Sequence, residues 1–418
     1  MMDRYMKEHP ELIREYARLI VRTGAAIQKG QGACVSCGVE HYEFARIVVE
    51  ECYAAGAKEV VLQWRDQPVS KQFYLHACDE MMENVPDYRA EIANYPIREK
   101  YGRIAIIGED PNGMEGIDYE RVRKYSKAYS AKTKESTKSL MASEIQWTVA
   151  AVPQVDWAKK VFPESTEEEA MNLLWEKILY SVHVGEGIDA VEEWQKHDEN
   201  LKKHCTLLNE KQFEKLHYRN SLGTDFTVGL VKKHIWCGGS EVAGTGVTFE
   251  ANLPTEEIFT MPDRNVAEGK LVASRPLSYN GTLIRNFYFI FKNGRVEDFA
   301  AEEGYEALKS LIDTGEGARH LGEVAIVPYS SPISRMSMLF YETLFDENAA
   351  CHFALGNCYP TTTEGGENFS DEEMLAHGGN VFPEEHEDFM VGTSDLTITG
   401  IAADGSETVI FENGEWVC

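Results

Sequence analysis

Four stretches in the last third of the chain set carboxylates and imidazoles beside apolar residues. They are Pro254-Thr255-Glu256-Glu257, Glu323 after Leu321-Gly322, Asp346-Glu347-Asn348-Ala349-Ala350-Cys351-His352, and Glu385-His386-Glu387-Asp388-Phe389-Met390. A carboxylate carried into apolar surroundings is costly unless a positive charge compensates it. A pair of divalent cations is the simplest compensation, and paired cations activate water for hydrolysis. The donors mix oxygen with neutral nitrogen, which suits zinc, cobalt or manganese better than calcium; magnesium would draw on the oxygens alone.

Each stretch also has a plainer reading. Thr255 followed by Glu256 and Glu257 resembles a capped, solvated helix start. If the segment is extended instead, the two glutamates point opposite ways, so one can ligate while the other does something else. Glu323 opens the apolar run 323–328, where a lone glutamate is ordinarily exposed. His352 lies in the apolar run 351–356 and could be a hydrogen-bonded core histidine; Tyr359 follows it closely. His386 and Asp388 are two apart, so on a strand they share a face and can serve one ion.

The elements that must position these residues fall into two halves. In the first, residues 33–39, 59–64, 103–108 and 146–152 read as strands. Residues 41–55 carry Phe44, Ala45, Val48, Val49 and Cys52 on one helical face, and Gly56 follows as a C-terminal glycine. Strands alternating with helices imply parallel pairing, hence an α/β domain. Residues 1–24 read as an amphipathic helix with Leu12, Ile13, Tyr16, Ala17 and Ile20 at helical spacing. Ser165-Thr166-Glu167-Glu168-Glu169 opens another helix, and residues 188–208 form a further one. The boundary is expected near Gly187, giving domains 1–187 and 188–418. The second half is α+β and rich in antiparallel strands, expected at 215–220, 225–232, 283–292 and 295–299. Asn293-Gly294, Asp404-Gly405 and Asn413-Gly414 mark hairpin turns. Helices are expected around 301–314 and 334–344, and residues 365–383 read as a mobile loop.

Composition sets the outer limits. The 418 residues are 43% hydrophobic and 11% aromatic, as in a globular chain. A formal charge of -28 opposes nucleic acid and anionic membranes as partners. No stretch approaches the ~18 apolar residues of a membrane span. Nine scattered cysteines suggest reduced thiols in a cytoplasmic setting. Cys34 and Cys37 form a C-x-x-C inside a strand-like segment with no second pair, which reads as core packing.

Long motifs carry a resemblance. Glu250-Ala-Asn-Leu-Pro-Thr-Glu-Glu-Ile-Phe-Thr260 with Pro262-Asp263, Leu344-Phe-Asp-Glu-Asn-Ala-Ala-Cys-His-Phe-Ala-Leu-Gly356, His386-Glu-Asp-Phe-Met-Val-Gly392 and Asp395-Leu-Thr-Ile-Thr-Gly400 resemble the M29 metallo-aminopeptidases, the aminopeptidase T and aminopeptidase S group. The resemblance implies an N-terminal α/β domain, a C-terminal metal domain, a cytoplasmic homodimer and release of N-terminal amino acids from peptides. It implies two metals held by Glu257, Glu323, Glu347, His352, His386 and Asp388, with Glu323 bridging and Tyr359 nearby. Residues 112–129 and 201–208 match no family pattern.

On that basis a metal-activated water attacks the first peptide carbonyl, Glu256 moves the proton and Tyr359 donates to the oxyanion. Two rivals stand beside this. One is another dinuclear hydrolase, acting on a phosphoester or non-peptide amide; the other is a non-catalytic metal-binding protein.

Overall fold

The computed structural model describes residues 3–279 and 281–417; the first two residues of the expected N-terminal helix lie outside it. The chain divides into two compact units, Met1–Asp198 with Ser240–Pro254, and Glu199–Gly239 with Thr255–Cys418. The chain therefore leaves the first unit and returns to it, where a single boundary near Gly187 was expected. Within the returning segment, Asn252–Leu253 pairs in parallel beyond the last strand of the first unit's sheet.

In the first unit β1 (Gly32–Gly38), β2 (Glu59–Arg65), β3 (Gly102–Ile107) and β4 (Trp147–Ala151) form a parallel sheet in the order β2-β1-β3-β4, followed by Asn252–Leu253. β1 is buried along its whole length, as a central parallel strand covered on both faces must be. The helix Tyr42–Ala54 covers it with Phe44, Ala45, Val48 and Cys52. Gly56 ends that helix at φ +97°, a left-handed position open to glycine. Thr166 caps Glu167–Ser181 in a reciprocal box with Glu169, as the acidic opening suggested. The N-terminal helix is broken at His9 into Arg4–Glu8 and Pro10–Leu19, and buries Ile13, Tyr16 and Ala17.

One long helix, Tyr119–Met141, was not foreseen. It offers tyrosines where an aliphatic stripe would be expected: Tyr125 meets Phe73 at 5.1 Å between ring centroids and stacks on Tyr129 at 6.1 Å. A thin apolar period of this kind escapes a hydrophobic pattern search.

The second unit is built from antiparallel sheets. The larger runs Leu277–Tyr279, Thr282–Lys292, Pro262–Val272, Asp225–Leu230, Lys215–Arg219, Thr397–Ile401, Glu407–Glu412 and Glu415–Trp416, with Arg295–Glu303 also on Thr282–Lys292. Asn293-Gly294 and Asn413-Gly414 both take left-handed φ pairs, +50° and +79°, then +52° and +74°, and close two-residue hairpins. The smaller sheet is β5 (Ile258–Thr260), β6 (Leu321–Ile326), β7 (His352–Gly356) and β8 (His386–Met390), in that order.

Two expectations need correction. The helix sought at 334–344 exists only as the fragments Pro332–Met336 and Thr343–Asp346, because Ser337 turns left-handed at φ +50°. Residues 365–383 are not a bare loop. They hold the helix Asp371–His377, capped reciprocally by Ser370 and Glu373 and closed by Gly378 at φ +107°.

Candidate metal centre

The smaller sheet presents a different chemistry on each face. Successive strand residues alternate sides. Phe353 and Phe389 pack into the core: Phe353 meets Tyr218 and Phe226 at 5.0 and 5.4 Å, and Phe389 meets Phe289 at 5.0 Å. The opposite face carries the donors. In register, Glu323 on β6 stands across from Ala354 on β7, and Ala354 stands across from Asp388 on β8. His386 pairs with Gly356, and His352 with Ala325. Small residues thus alternate with donors along these rows and leave room between the functional groups. Glu257 enters from the segment just before β5. That segment is not helical, so the reading of Thr255 as the start of a helix does not hold.

The donors converge. His352 Nε2 lies 3.0 Å from Glu257 Oε2 and 3.5 Å from Glu323 Oε1. His386 Nε2 lies 3.5 Å from Glu323 Oε2 and 3.7 Å from Asp388 Oδ1. Asp388 Oδ1 is also 4.0 Å from His352 Nε2. Each oxygen of Glu323 therefore faces a different imidazole. Two groups that share Glu323 bring their ligand atoms within 4.8 Å of one another: Glu257, Glu323 and His352, and Glu323, His386 and Asp388.

The other imidazole nitrogens are occupied. His352 Nδ1 lies 3.1 Å from the Ala350 carbonyl oxygen, and His386 Nδ1 lies 2.7 Å from that of Asn357. A carbonyl accepts only from N–H, so both rings carry a proton on Nδ1. In the neutral ring Nε2 then turns a lone pair toward the carboxylates, the orientation found in metal-ligating histidines. Glu257 Oε2 and Asp388 Oδ1 are buried without a hydrogen-bond partner, and His352 Nε2 lies 3.0 Å from the first. Buried carboxylate oxygens gathered around two imidazole Nε2 atoms fit a divalent cation, and the mixed N/O set fits zinc, cobalt or manganese.

The electrostatics of the bare residues point the same way. Burial pushes Asp388 up to about 6 against the pull of both imidazoles. Burial, then the charges of Glu257 and Asp388, hold Glu347 well above the usual carboxylate range. Burial works against protonated His386, but the Glu323 hydrogen bond and the charge of Asp388 lift it to about 9. Glu323 is opposed by burial too, yet hydrogen bonding from both histidines brings it down to about 2. Without cations the cluster must recruit protons onto its imidazoles to hold its charge.

Of the expected residues, five meet in these two groups. Glu347 stands beside them on the 3-10 turn Glu347–Ala349, coupled to them by charge but outside either group. Tyr359 sets its ring edge-on to His386 at 4.9 Å; the residue is 36% exposed, but desolvation of its phenol toward the donors and the charges of Glu323 and Asp388 push that phenol up and keep it protonated. Glu256 is buried, its N–H donated to Asn348 Oδ1 at 2.7 Å, and its carboxylate joins neither group. A cavity of about 180 Å³ opens beside the donors, lined by Glu347, His386 and Asp388 and also by Arg275 and Tyr341.

Sequence reading gave no role to Asn348. It is fully buried and ties Glu256, the Leu344 carbonyl and Glu347 together. Its signal was its place inside the run 346–352, between two singled-out donors. Glu387 was also passed over; burial pushes it to about 8, and it lines the same cavity.

A family model described as thermophilic metalloprotease (M29) matches residues 9–416. Aminopeptidase AmpS of Bacillus subtilis is 40% identical over 411 residues, 98% of this chain and 100% of that protein. Aminopeptidase PepS of Streptococcus thermophilus is 41% identical over 408 residues, 97% of this chain and 98% of that protein. Among solved structures, wild-type AmpT from Thermus thermophilus matches with a TM-score of 0.90 at 35% identity, covering 98% of this chain and 100% of that one. The chain belongs to the M29 family of metallo-aminopeptidases.

Proposed function

We propose that the chain releases N-terminal amino acids from peptides with two divalent cations held by Glu257, Glu323, Glu347, His352, His386 and Asp388. We assign this chemistry to the C-terminal part of the chain, read from the sequence as residues 188–418, with residues 1–187 as a supporting domain. One observation carries the reading: the two oxygens of Glu323 face two different imidazoles, each fixed by a backbone carbonyl on its far side. A carboxylate so placed suits a bridge between neighbouring ions. When bound, such ions polarise a carbonyl and lower the pKa of water toward neutrality.

The chain's own residues do the rest. Glu256 takes the proton of the attacking water and returns it to the leaving amine. Tyr359, kept protonated by its anionic surroundings, donates to the oxyanion. An acidic group among the donors receives the substrate's α-ammonium, which restricts cleavage to the first peptide bond. By resemblance to the family we further propose a homodimer in the cytoplasm, to be tested by light scattering and by cell fractionation.

Purified protein, chelated and then reloaded with zinc, cobalt, manganese or magnesium, is to be assayed on an aminoacyl anilide and an aryl phosphate. Metal-dependent hydrolysis of the anilide alone is expected. Equal turnover by chelated protein, or preference for the phosphate, overturns the reading.

A further inference from the structure

A second cavity lies wholly in the first unit, at the carboxyl edge of the parallel sheet, and encloses about 420 Å³. In the order β2-β1-β3-β4 the direction of strand addition reverses between β1 and β3. Crevices beyond the strand carboxyl ends at such a point are where open α/β sheets hold ligands. Residues 40–44 line the cavity as they leave β1, and residues 152–155 as they leave β4. Gly108, just past β3, has φ +134°, and a Cβ there would stand 1.9 Å from the Val152 carbonyl oxygen. Only glycine lets these segments approach so closely. Phe44 and Trp175, with ring centroids 5.9 Å apart, and Met171 supply an apolar wall.

Two buried polar atoms among the lining residues have no hydrogen-bond partner: His41 Nε2 and Asn172 Oδ1. The His41 side chain is 4% exposed; Glu40 Oε1 lies 3.9 Å from its Nε2, and the opposite charges of Glu109 and Arg65 also act on the ring. The ring lies against the Gly108 backbone, and burial keeps it neutral, down to about 4. A neutral imidazole presents one lone pair, so His41 and Asn172 can both accept. Glu40 folds its carboxylate back over Gly38, where a Cβ would lie 2.7 Å from it.

The rest of the lining selects the ligand's charge. Asp3, Glu43, Glu167 and Glu168 are acidic, and the cation among them, Arg4, is already paired with Glu8 and Glu168. Acceptors without donors, an acidic rim and an apolar wall call for a donor-rich cation with an apolar body. A metal ion suits the site less well. Among the described residues no third ligand atom joins His41 and Glu40 at metal-binding distance.

We propose that this cavity binds a small organic cation, a primary amine bearing an apolar group, with its ammonium held by His41, Asn172 and Glu40. The site is independent of the peptidase reading and of its metal donors.

The test is calorimetric titration of the metal-loaded full chain with phenethylamine, alongside 3-phenylpropionate. Saturable binding of the amine and none of the acid is expected. His41→Ala and Asn172→Ala should each weaken it by roughly tenfold or more, the scale of one charge-assisted hydrogen bond. Anilide hydrolysis should stay unchanged in both. Glu40→Gln serves in place of His41→Ala should the latter melt early, and is expected to weaken binding likewise. Glu323→Gln at the other site should leave amine binding intact. The proposal falls if no binding appears up to ~10 mM amine, if the acid binds as well, or if binding persists in the cavity variants. It also falls if Glu323→Gln alone abolishes binding, which would place the amine at the metal donors.

Discussion

The two units bury ionisable groups in opposite ways. On β1 of the parallel sheet the buried thiols stand singly. Cys34 and Cys37 lie on a wholly buried strand, unbonded to each other, and burial pushes their thiols up to about 11 and about 12. Such thiols are inert. In the smaller antiparallel sheet the buried groups are gathered. Two imidazoles and the carboxylates of Glu323 and Asp388 share one face, each perturbed by its neighbours as well as by burial, and Glu257 joins them from the segment before β5. Burial alone silences a titratable group, whereas burial with unmatched neighbours prepares a site for a cation.

Substitutions can break or sharpen that contrast. Glu323→Gln removes the group common to both donor sets; peptidase activity should fall by roughly 10⁴-fold, as when one member of a catalytic unit is lost, and bound metal should drop in elemental analysis. Tyr359→Phe should leave metal content intact while lowering kcat by about 10²-fold to 10³-fold, the scale of one oxyanion donor; steady-state kinetics would read it. Asn348→Ala should cost about 10-fold to 100-fold in activity or metal affinity, as losses behind a ligand shell do. In the parallel sheet, Cys34→Ala should leave kcat/KM unchanged and lower stability by only ~1 kcal/mol in denaturant melts. A large activity loss in Cys34→Ala would erase the difference between the two sheets.

Much of this was legible in the residues. The parallel strands showed as apolar runs, Gly56 and Thr166 marked helix ends, and Asn293-Gly294 marked an antiparallel hairpin. His386 and Asp388 share a face because a strand repeats every two residues. What stayed hidden was set by distance along the chain. The facing of Glu323 toward both histidines depends on the register of three strands, which no local pattern carries. Asn348 could not be told from a surface asparagine until its burial was seen. The helix Asp371–His377 was masked by the glycines around it, though its Ser-x-x-Glu cap stood in the sequence.

The central claim is that this cluster exists to hold two cations at once. Elemental analysis of the purified chain, stripped and then titrated with zinc or cobalt while anilide hydrolysis is followed, tests it directly. The account predicts that activity rises with loading and levels off at two ions per chain. Full activity in the stripped protein, or saturation with no ion retained, would contradict it.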